Sequence, residues 1–495
     1  MDVVVMTSAR AEGLQRLVDG MGQTQTNNDA GTAFVRPRSG ANEGDTIDIL
    51  NEIFAVIRVV NRVAILNEHL DEKDRPSFSL LSKDSFMLML VNYKMSAKRP
   101  DEDGKLITVQ IPAAPYWLAH SKRRQYAGIA FAPSNPPSGY YNLWRGFALK
   151  PSQTGSCEKL KEHLLYNVCD DNSALYNWVF GWFADIFQNP TKKSGTALVL
   201  RGEMGVGKTI VGEIFGRLLG LHYVQVADPR FVTGRFNAHF VRCLLFHLDE
   251  GFWAGDKIAE SKVKDLVTGK THPIELKGFE VFFTPNYVRV FINGYPDWLV
   301  PAGLDERRFA TLDVADTHKQ DIPYFKAMIK ELEDCGYAKL LQELLEFDLS
   351  LVDLRTIPKT AALLDQKIAS LTPEQGWWLD ILRNGHLPPH PRSRAGKCPG
   401  QFLYEHYLDR ANKRGVRRRQ LETALGIFLN NNVPKLKRYT DKFLVDPGNG
   451  FKAAEYHRGV IYEFPPLSVC REAFTAKLQQ PFEWDELTDW IVPNE

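Results

Sequence analysis

The sequence predicts an α/β protein built around a nucleotide-binding parallel sheet, with a β-rich region ahead of it and a small, mostly helical part behind it. Three observations predict this. An apolar run, TALVL, leads straight into GEMGVGKT and then into the helix-forming stretch IVGEIF. Residues 191–320 alternate strand-like apolar runs with helical ones, the pattern of helices covering a parallel sheet. The composition, 44% hydrophobic and 24% charged over 495 residues, is that of a globular chain long enough for two or three domains.

Taken in order, residues 1–45 are rich in Thr, Asn and Gly towards their end and are expected to be poorly ordered. From 46 to 150 the signals are β-like: FAVIRVVNRVAILNE reads as paired strands, and FMLMLVNY and KLITVQI as further ones, punctuated by Pro-rich turns. Residues 151–190 form a helical lead-in in which Leu175, Trp178, Val179, Trp182, Phe183 and Ile186 recur at helical spacing, an apolar stripe suited to a core. Residues 191–348 carry the nucleotide-binding region, helical from 323. HLPPHPRSRAGKCPG, residues 386–400, reads as an interdomain linker inside the C-terminal part, 349–495. The six cysteines are scattered with no C-x-x-C pair, which argues against a zinc site or a disulfide framework and suits a reducing cytoplasm. No apolar run approaches the roughly 20 residues of a membrane helix, and no signal peptide is legible.

The segment Gly202-Glu-Met-Gly-Val-Gly-Lys208-Thr209 fits G-x-x-x-x-G-K-[ST] at every fixed position. In such a loop Gly202, Gly205, Val206, Gly207, Lys208, Thr209 and Ile210 wrap the phosphates of ATP with backbone N–H groups. Lys208 reaches the β/γ oxygens and Thr209 offers its hydroxyl to Mg²⁺. Phosphoryl transfer also needs a second metal ligand and a group that polarises water. CLLFHLDEG supplies an apolar strand ending in Asp249, for the metal, and Glu250, for the water, with His247 as a packing residue of that strand. A later apolar strand, VRVFINGY, ends in Asn293, an amide placed to sense the γ-phosphate. LDERRFATLDV presents Arg307 and Arg308, which suit transition-state stabilisation across a subunit boundary and also admit an ion pair with Asp305 or Glu306.

The net charge of +1 is unevenly spread. Residues 391–440 hold twelve Lys/Arg against three Asp/Glu, a surplus of nine, so the rest of the chain stands at −8. There, Arg417, Arg418 and Arg419 open a helical run and Lys435 and Lys437 follow a turn. Helix, basic turn and strands together are compatible with a winged-helix module that contacts phosphates with little sequence preference. HSKRRQY upstream reads equally well as a second nucleic-acid contact or as structure.

The order GEMGVGKT, LLFHLDE, VFINGY and DERRF resembles that of superfamily 3 helicases of the phage and plasmid primase-helicase type, related to the poxvirus helicase-primase. The likeness covers roughly residues 50–345. It implies an AAA+-like core assembled as a hexameric ring, a replicative DNA helicase that hydrolyses ATP with Mg²⁺ at subunit interfaces and moves along single-stranded or forked DNA beside primase and polymerase partners. In a phage-encoded protein this would take place in the host cytoplasm. By the same resemblance Arg308 is the finger with Arg307 in reserve, and Lys277, in ELKGFE, is the residue of a channel hairpin that grips DNA. Two other readings of the residues stay open: an AAA+-type loader or remodeller of replication proteins, and a DNA-binding initiator whose oligomer ATP cements.

Overall fold

The computed structural model describes residues 43–71, 75–228, 230–250, 257–295, 298–390, 394–413, 415, 420–445 and 455–491. They form a mixed α/β structure with three apolar cores. The expectation of a poorly ordered 1–45 falls almost wholly outside these residues.

The N-terminal region opens with a helix, Glu43–Ile53, and a hairpin of β1 (Phe54–Val59) and β2 (Arg62–Leu70), paired Phe54 to Asn67 through Val59 to Arg62. β3 (Pro76–Leu81) and, beyond a second hairpin of β4 (Lys94–Pro100) and β5 (Leu106–Pro112), the short β6 (Gln125–Tyr126) complete a four-stranded sheet in the order β3-β2-β1-β6. A parallel pair, β7 (Gly128–Ala130) and β8 (Tyr140–Asn142), leads out of the region. The stretch FMLMLVNY, expected as a strand, is instead largely the helix Lys83–Met89. Ser82 caps it by accepting from the Ser85 N–H at 3.0 Å, and Phe86 and Leu90, one turn apart, share the buried side. Phe86 meets Phe54 edge-on at 5.0 Å, so helical spacing overrides the apolar run.

The lead-in helix Ser173–Gln188 buries its aromatic stripe in the same core as the parallel-sheet region that follows it. Phe183 lies flat on Phe215, ring centroids 3.6 Å apart. That region contains β9 (Ala197–Arg201), β10 (Tyr223–Val226), β11 (Leu245–Asp249), the hairpin strands β12 (Thr271–Ile274) and β13 (Phe282–Pro285), β14 (Arg289–Gly294) and β15 (Phe309–Asp313). Five of them make an all-parallel sheet ordered β10-β11-β14-β9-β15, with β12 and β13 standing apart as an antiparallel pair. β9 and β14 are buried along nearly their whole length, as strands covered on both faces must be. Arg289, only 2% exposed, donates from its guanidinium to the carbonyls of Pro190, Tyr287, Asn189 and Lys192, and pairs with Asp185 at 3.3 Å. It pins the start of β14 to the end of the lead-in helix.

The C-terminal part follows the order helix (Pro373–Asn384), β16 (Lys397–Pro399), helices Gly400–Lys413 and Glu422–Asn432, then β17 (Lys437–Val445) and β18 (Glu455–Glu463). The strands form an antiparallel sheet ordered β16-β18-β17, and a last helix, Leu467–Leu478, packs against the Pro373–Asn384 helix. Its own core gathers Trp377, Trp378, Tyr407 and Phe464. The 386–400 stretch is more than a linker, because its second half supplies β16 and buries Cys398. Among the described residues no helix is long and apolar enough to cross a membrane.

Buried histidines link this fold to pH. His222 stacks on Trp144 at 4.6 Å, donates from Nδ1 to the Arg242 carbonyl at 2.9 Å, and is pushed down to about 4 by burial. His272, on the inner side of the β12–β13 hairpin, is pushed to about 4 for the same reason. Both bind a proton more readily unfolded, so stability is complete above about pH 6.5 and is lost as pH falls towards 4, by up to about 1.4 kcal/mol per pH unit for each group. Thermal melts are expected to fall through that window. His222→Asn, which keeps a donor without a titrating group, is expected to make the fall shallower, and an unchanged slope would contradict the assignment.

Candidate functional site

The site forms where β9, β11 and β14 end side by side. Register pairs Asp249 with Asn293 and Asn293 with Leu200, so the acid, the amide and the strand entering the glycine loop share one edge. The loop turns twice through left-handed backbone, at Gly205 (φ 82°) and Gly207 (φ 96°), conformations that other residues adopt only under strain. A Cβ on Gly207 would also stand 2.6 Å from Phe325 and 2.8 Å from His163 Nε2. The helix Lys208–Leu219 starts at once and aims its N-terminus at the loop's concavity.

Lys208 is nearly buried, and its Nζ donates to the carbonyls of Gly202 (2.8 Å) and Glu203 (2.6 Å). Burial lowers its pKa, opposed chiefly by Asp249. Thr209 donates its hydroxyl to Asp249 Oδ1 at 3.1 Å. Asn293 Nδ2 donates to that same carboxylate oxygen at 2.7 Å and to the Thr209 oxygen at 3.0 Å. Gln225 Nε2 adds a third donor to Asp249, on Oδ2 at 3.1 Å. Burial works against the Asp249 charge, yet these donors, Asn293 foremost, hold its carboxyl below the ordinary range. The Thr209 hydroxyl and Asp249 carboxylate are hard oxygen donors 3.1 Å apart, a pair that fits Mg²⁺ when phosphates and water complete the shell. Val206 is buried behind the loop and Ile210 half-buried at the start of the helix.

The remaining expected residues lie apart from this cluster. Glu250 is exposed just past β11 and has left-handed backbone (φ 56°), a conformation a non-glycine residue adopts at some cost. Arg307 and Arg308 sit immediately before β15, beside Ala197 at the start of β9, whereas the glycine loop follows Arg201 at the far end of that parallel strand. Five strand residues, about 16 Å, separate the two ends, so neither arginine reaches the loop of its own chain. Arg308, the favoured finger, is partly covered and faces Glu306 at 3.7 Å, while buried Glu306 also accepts from the backbone N–H groups of Arg307 and Arg308. Arg307 is the exposed member.

Lys277 stands exposed in the turn of the β12–β13 hairpin. The hairpin tip is tied to the β1–β2 turn, with Arg62 donating to the Gly278 carbonyl at 2.8 Å and Asn61 to Glu280 at 2.8 Å. Lys435 is exposed with left-handed backbone, and Lys437 pairs with Glu463 at 3.2 Å. Arg417, Arg418 and Arg419 lie outside the described residues. In HSKRRQY, Arg124 pairs with Glu68 and is mostly covered, so this segment ties the N-terminal sheet together.

Two neighbours of the site carry no sequence signal of their role. His163, on a π-helical turn of the lead-in (His163–Val168), presses its ring against Gly207. His247, read as packing, hydrogen-bonds Asn293 through Nε2 and Tyr223 through Nδ1. Strand alternation places His247 on the covered face, but only the packed structure shows what it bonds.

Because Lys208 provides the loop's cationic side chain, Lys208→Ala is expected to weaken binding of a fluorescent ATP analogue by about 10- to 100-fold, the effect of losing one charge-assisted hydrogen bond of about 1.5–3 kcal/mol. Unchanged affinity in a direct titration would contradict the loop's assignment.

A family model described as a family of unknown function (DUF5906) matches residues 200–308, the stretch from the glycine loop to the arginine pair. A search of curated proteins finds no match. The fold is similar to solved structures of the C-terminal region of NrS-1. An A-form apo structure of that region aligns with a TM-score of 0.56 at 15% identity, over 84% of this chain and 98% of the other. An apo structure of NrS-1 residues 305–718 aligns at 0.54 with 15% identity, over 86% and 100% of the two chains. At that identity the likeness is one of fold.

Proposed function

We propose that the chain is an ATP- and Mg²⁺-dependent motor of DNA replication, a ring helicase of the superfamily 3 type with an AAA+-like P-loop core. One observation carries the reading furthest. Lys208, Thr209, Asp249 and Asn293 converge at one end of the parallel sheet, while Arg307 and Arg308 stand at the other end. A site so divided is complete only when a second copy brings its arginine to the first copy's phosphates, which is how ring ATPases couple hydrolysis to movement between subunits. The exposed Arg307 suits this role better than Arg308, which is held by Glu306.

Within that reading Lys208 and Thr209 bind the phosphates, Asp249 holds the metal's shell, Glu250 orients the attacking water and Asn293 reads the γ-phosphate. The bound Mg²⁺ would neutralise charge on the phosphate oxygens. Lys277, at the tip of its hairpin, is the proposed contact to the DNA backbone. The helix–strand–helix–helix–strand–strand order of the C-terminal part supports a winged-helix module there, with exposed Lys435 as a phosphate contact.

A second reading, an initiator whose oligomer ATP cements, is favoured by the tethering of the hairpin tip to Arg62 and Asn61. The two readings separate at Glu250→Gln, which abolishes a motor and leaves a cemented initiator largely intact.

The test is ATP hydrolysis with and without single-stranded DNA, on protein whose oligomeric mass is measured in the same buffer. A ring-sized assembly with DNA-stimulated turnover is expected, and a monomer with DNA-independent turnover would contradict the motor. Lys277→Ala is expected to keep basal hydrolysis and to reduce strand separation at least tenfold in a forked-substrate assay. Full unwinding by that variant would remove the hairpin from the mechanism.

A further inference from the structure

The Asn293 amide has its orientation set from behind by a buried chain of hydrogen bonds. Both Nδ2 protons are committed, one to Asp249 Oδ1 and one to Thr209 Oγ1. An ionised carboxylate only accepts, so the amide must present nitrogen to it and turn its oxygen away. That oxygen meets His247 Nε2. The bond requires Nε2 to carry the ring proton, and His247 Nδ1 must then accept the Tyr223 hydroxyl proton, across 2.6 Å. Every donor from Tyr223 to Asp249 therefore points towards the glycine loop.

Packing holds the chain in place. His247 is fully buried and meets Phe291 edge-on at 4.7 Å. The helix that follows the glycine loop passes directly over it and carries glycine at the two contact points. A Cβ on Gly212 would stand 2.6 Å from the His247 ring, and one on Gly216 2.5 Å from the Tyr223 ring. Glycine inside a helix is disfavoured relative to alanine, yet here it occurs twice, one turn apart, beneath the two rings of the chain.

We infer that His247, set by Tyr223, is a positioning residue for the nucleotide site, fixing the Asn293 amide so that it serves Asp249 and Thr209. This rests on the proposed reading of that site as a Mg²⁺–nucleotide site. With His247 replaced by an apolar residue, the amide oxygen loses its buried donor and the amide is held only from the Asp249 and Thr209 side. A flipped amide would turn its oxygen on the Asp249 carboxylate, and the donors that order the acid and the threonine would be lost.

The experiment is equilibrium binding of a fluorescent ATP analogue to the full chain, with Mg²⁺ and with EDTA, on wild type, His247→Leu, His247→Gln, Tyr223→Phe, Asn293→Ala and the His247→Leu/Asn293→Ala double variant, each checked by thermal melting. Loss of a residue that orients a metal ligand typically costs about 10- to 100-fold, so His247→Leu is expected to lose that much of the Mg²⁺-dependent affinity. Binding in EDTA should change little. His247→Gln, whose amide can still donate to Asn293, should recover part of the loss, and Tyr223→Phe should fall between. The deciding comparison is the double variant. If His247 acts through Asn293, adding His247→Leu to Asn293→Ala costs nothing further. Additive losses, or a folded His247→Leu or Tyr223→Phe protein binding as wild type does with Mg²⁺, would overturn the inference. Wild-type protein that shows no Mg²⁺-dependent binding would instead overturn the functional reading beneath it.

Discussion

Asp249 and Asn293 are register partners on neighbouring parallel strands, and the hydrogen bond between them, shared with Thr209, organises the candidate site. It joins the ends of β11 and β14 to the helix that leaves the glycine loop. A one-residue slip between those strands would turn Asp249 or Asn293 to the opposite face of the sheet and dissolve the cluster. Much of the surrounding structure protects that register. Arg289 fastens the start of β14 to the lead-in helix, Phe183 and Phe215 lock that helix to the one after the glycine loop, and the buried aliphatic face of β9 sits between β14 and β15.

The same parallel sheet separates what it does not join. Every strand runs one way, so residues that precede a strand and residues that follow its neighbour are kept a strand length apart. The arginine pair precedes β15 and the glycine loop follows β9, which puts the loop at one end of the sheet and the exposed cation of Arg307 at the other. The hairpin of β12 and β13 leaves from the arginine end too, since Pro285 lies just before β14. Its tip touches the β1–β2 turn, with Gly278 and Glu280 bonded to Arg62 and Asn61.

Much of this was legible in the sequence, for physical reasons. The glycine loop is written locally, because left-handed turns, a lysine and a helix start must follow each other in the chain. The strands ending in Asp249 and Asn293 announce themselves as apolar runs closed by a polar residue. The roles of Tyr223, His247 and Gln225 were not legible. They depend on which strands become neighbours, and nothing in QVADP or LFHLD specifies that pairing. FMLMLVNY misled because a short apolar run has no period long enough to separate strand from helix, and Ser82 with the Phe86–Leu90 spacing settled it. The arginine pair was visible, but which of the two is held depended on Glu306 folding back beneath them.

The claim that one site is built from two chains is tested most directly by complementation. Lys208→Ala subunits retain the arginine but not the cradle, and Arg307→Ala subunits retain the cradle but not the arginine. Each variant alone is expected to hydrolyse ATP at no more than a few per cent of the wild-type rate. Mixed under conditions that allow subunit exchange, they should recover a substantial part of that rate, because an intact cradle then meets an intact arginine at some interfaces. Failure to recover activity in assemblies shown to contain both variants would contradict the account.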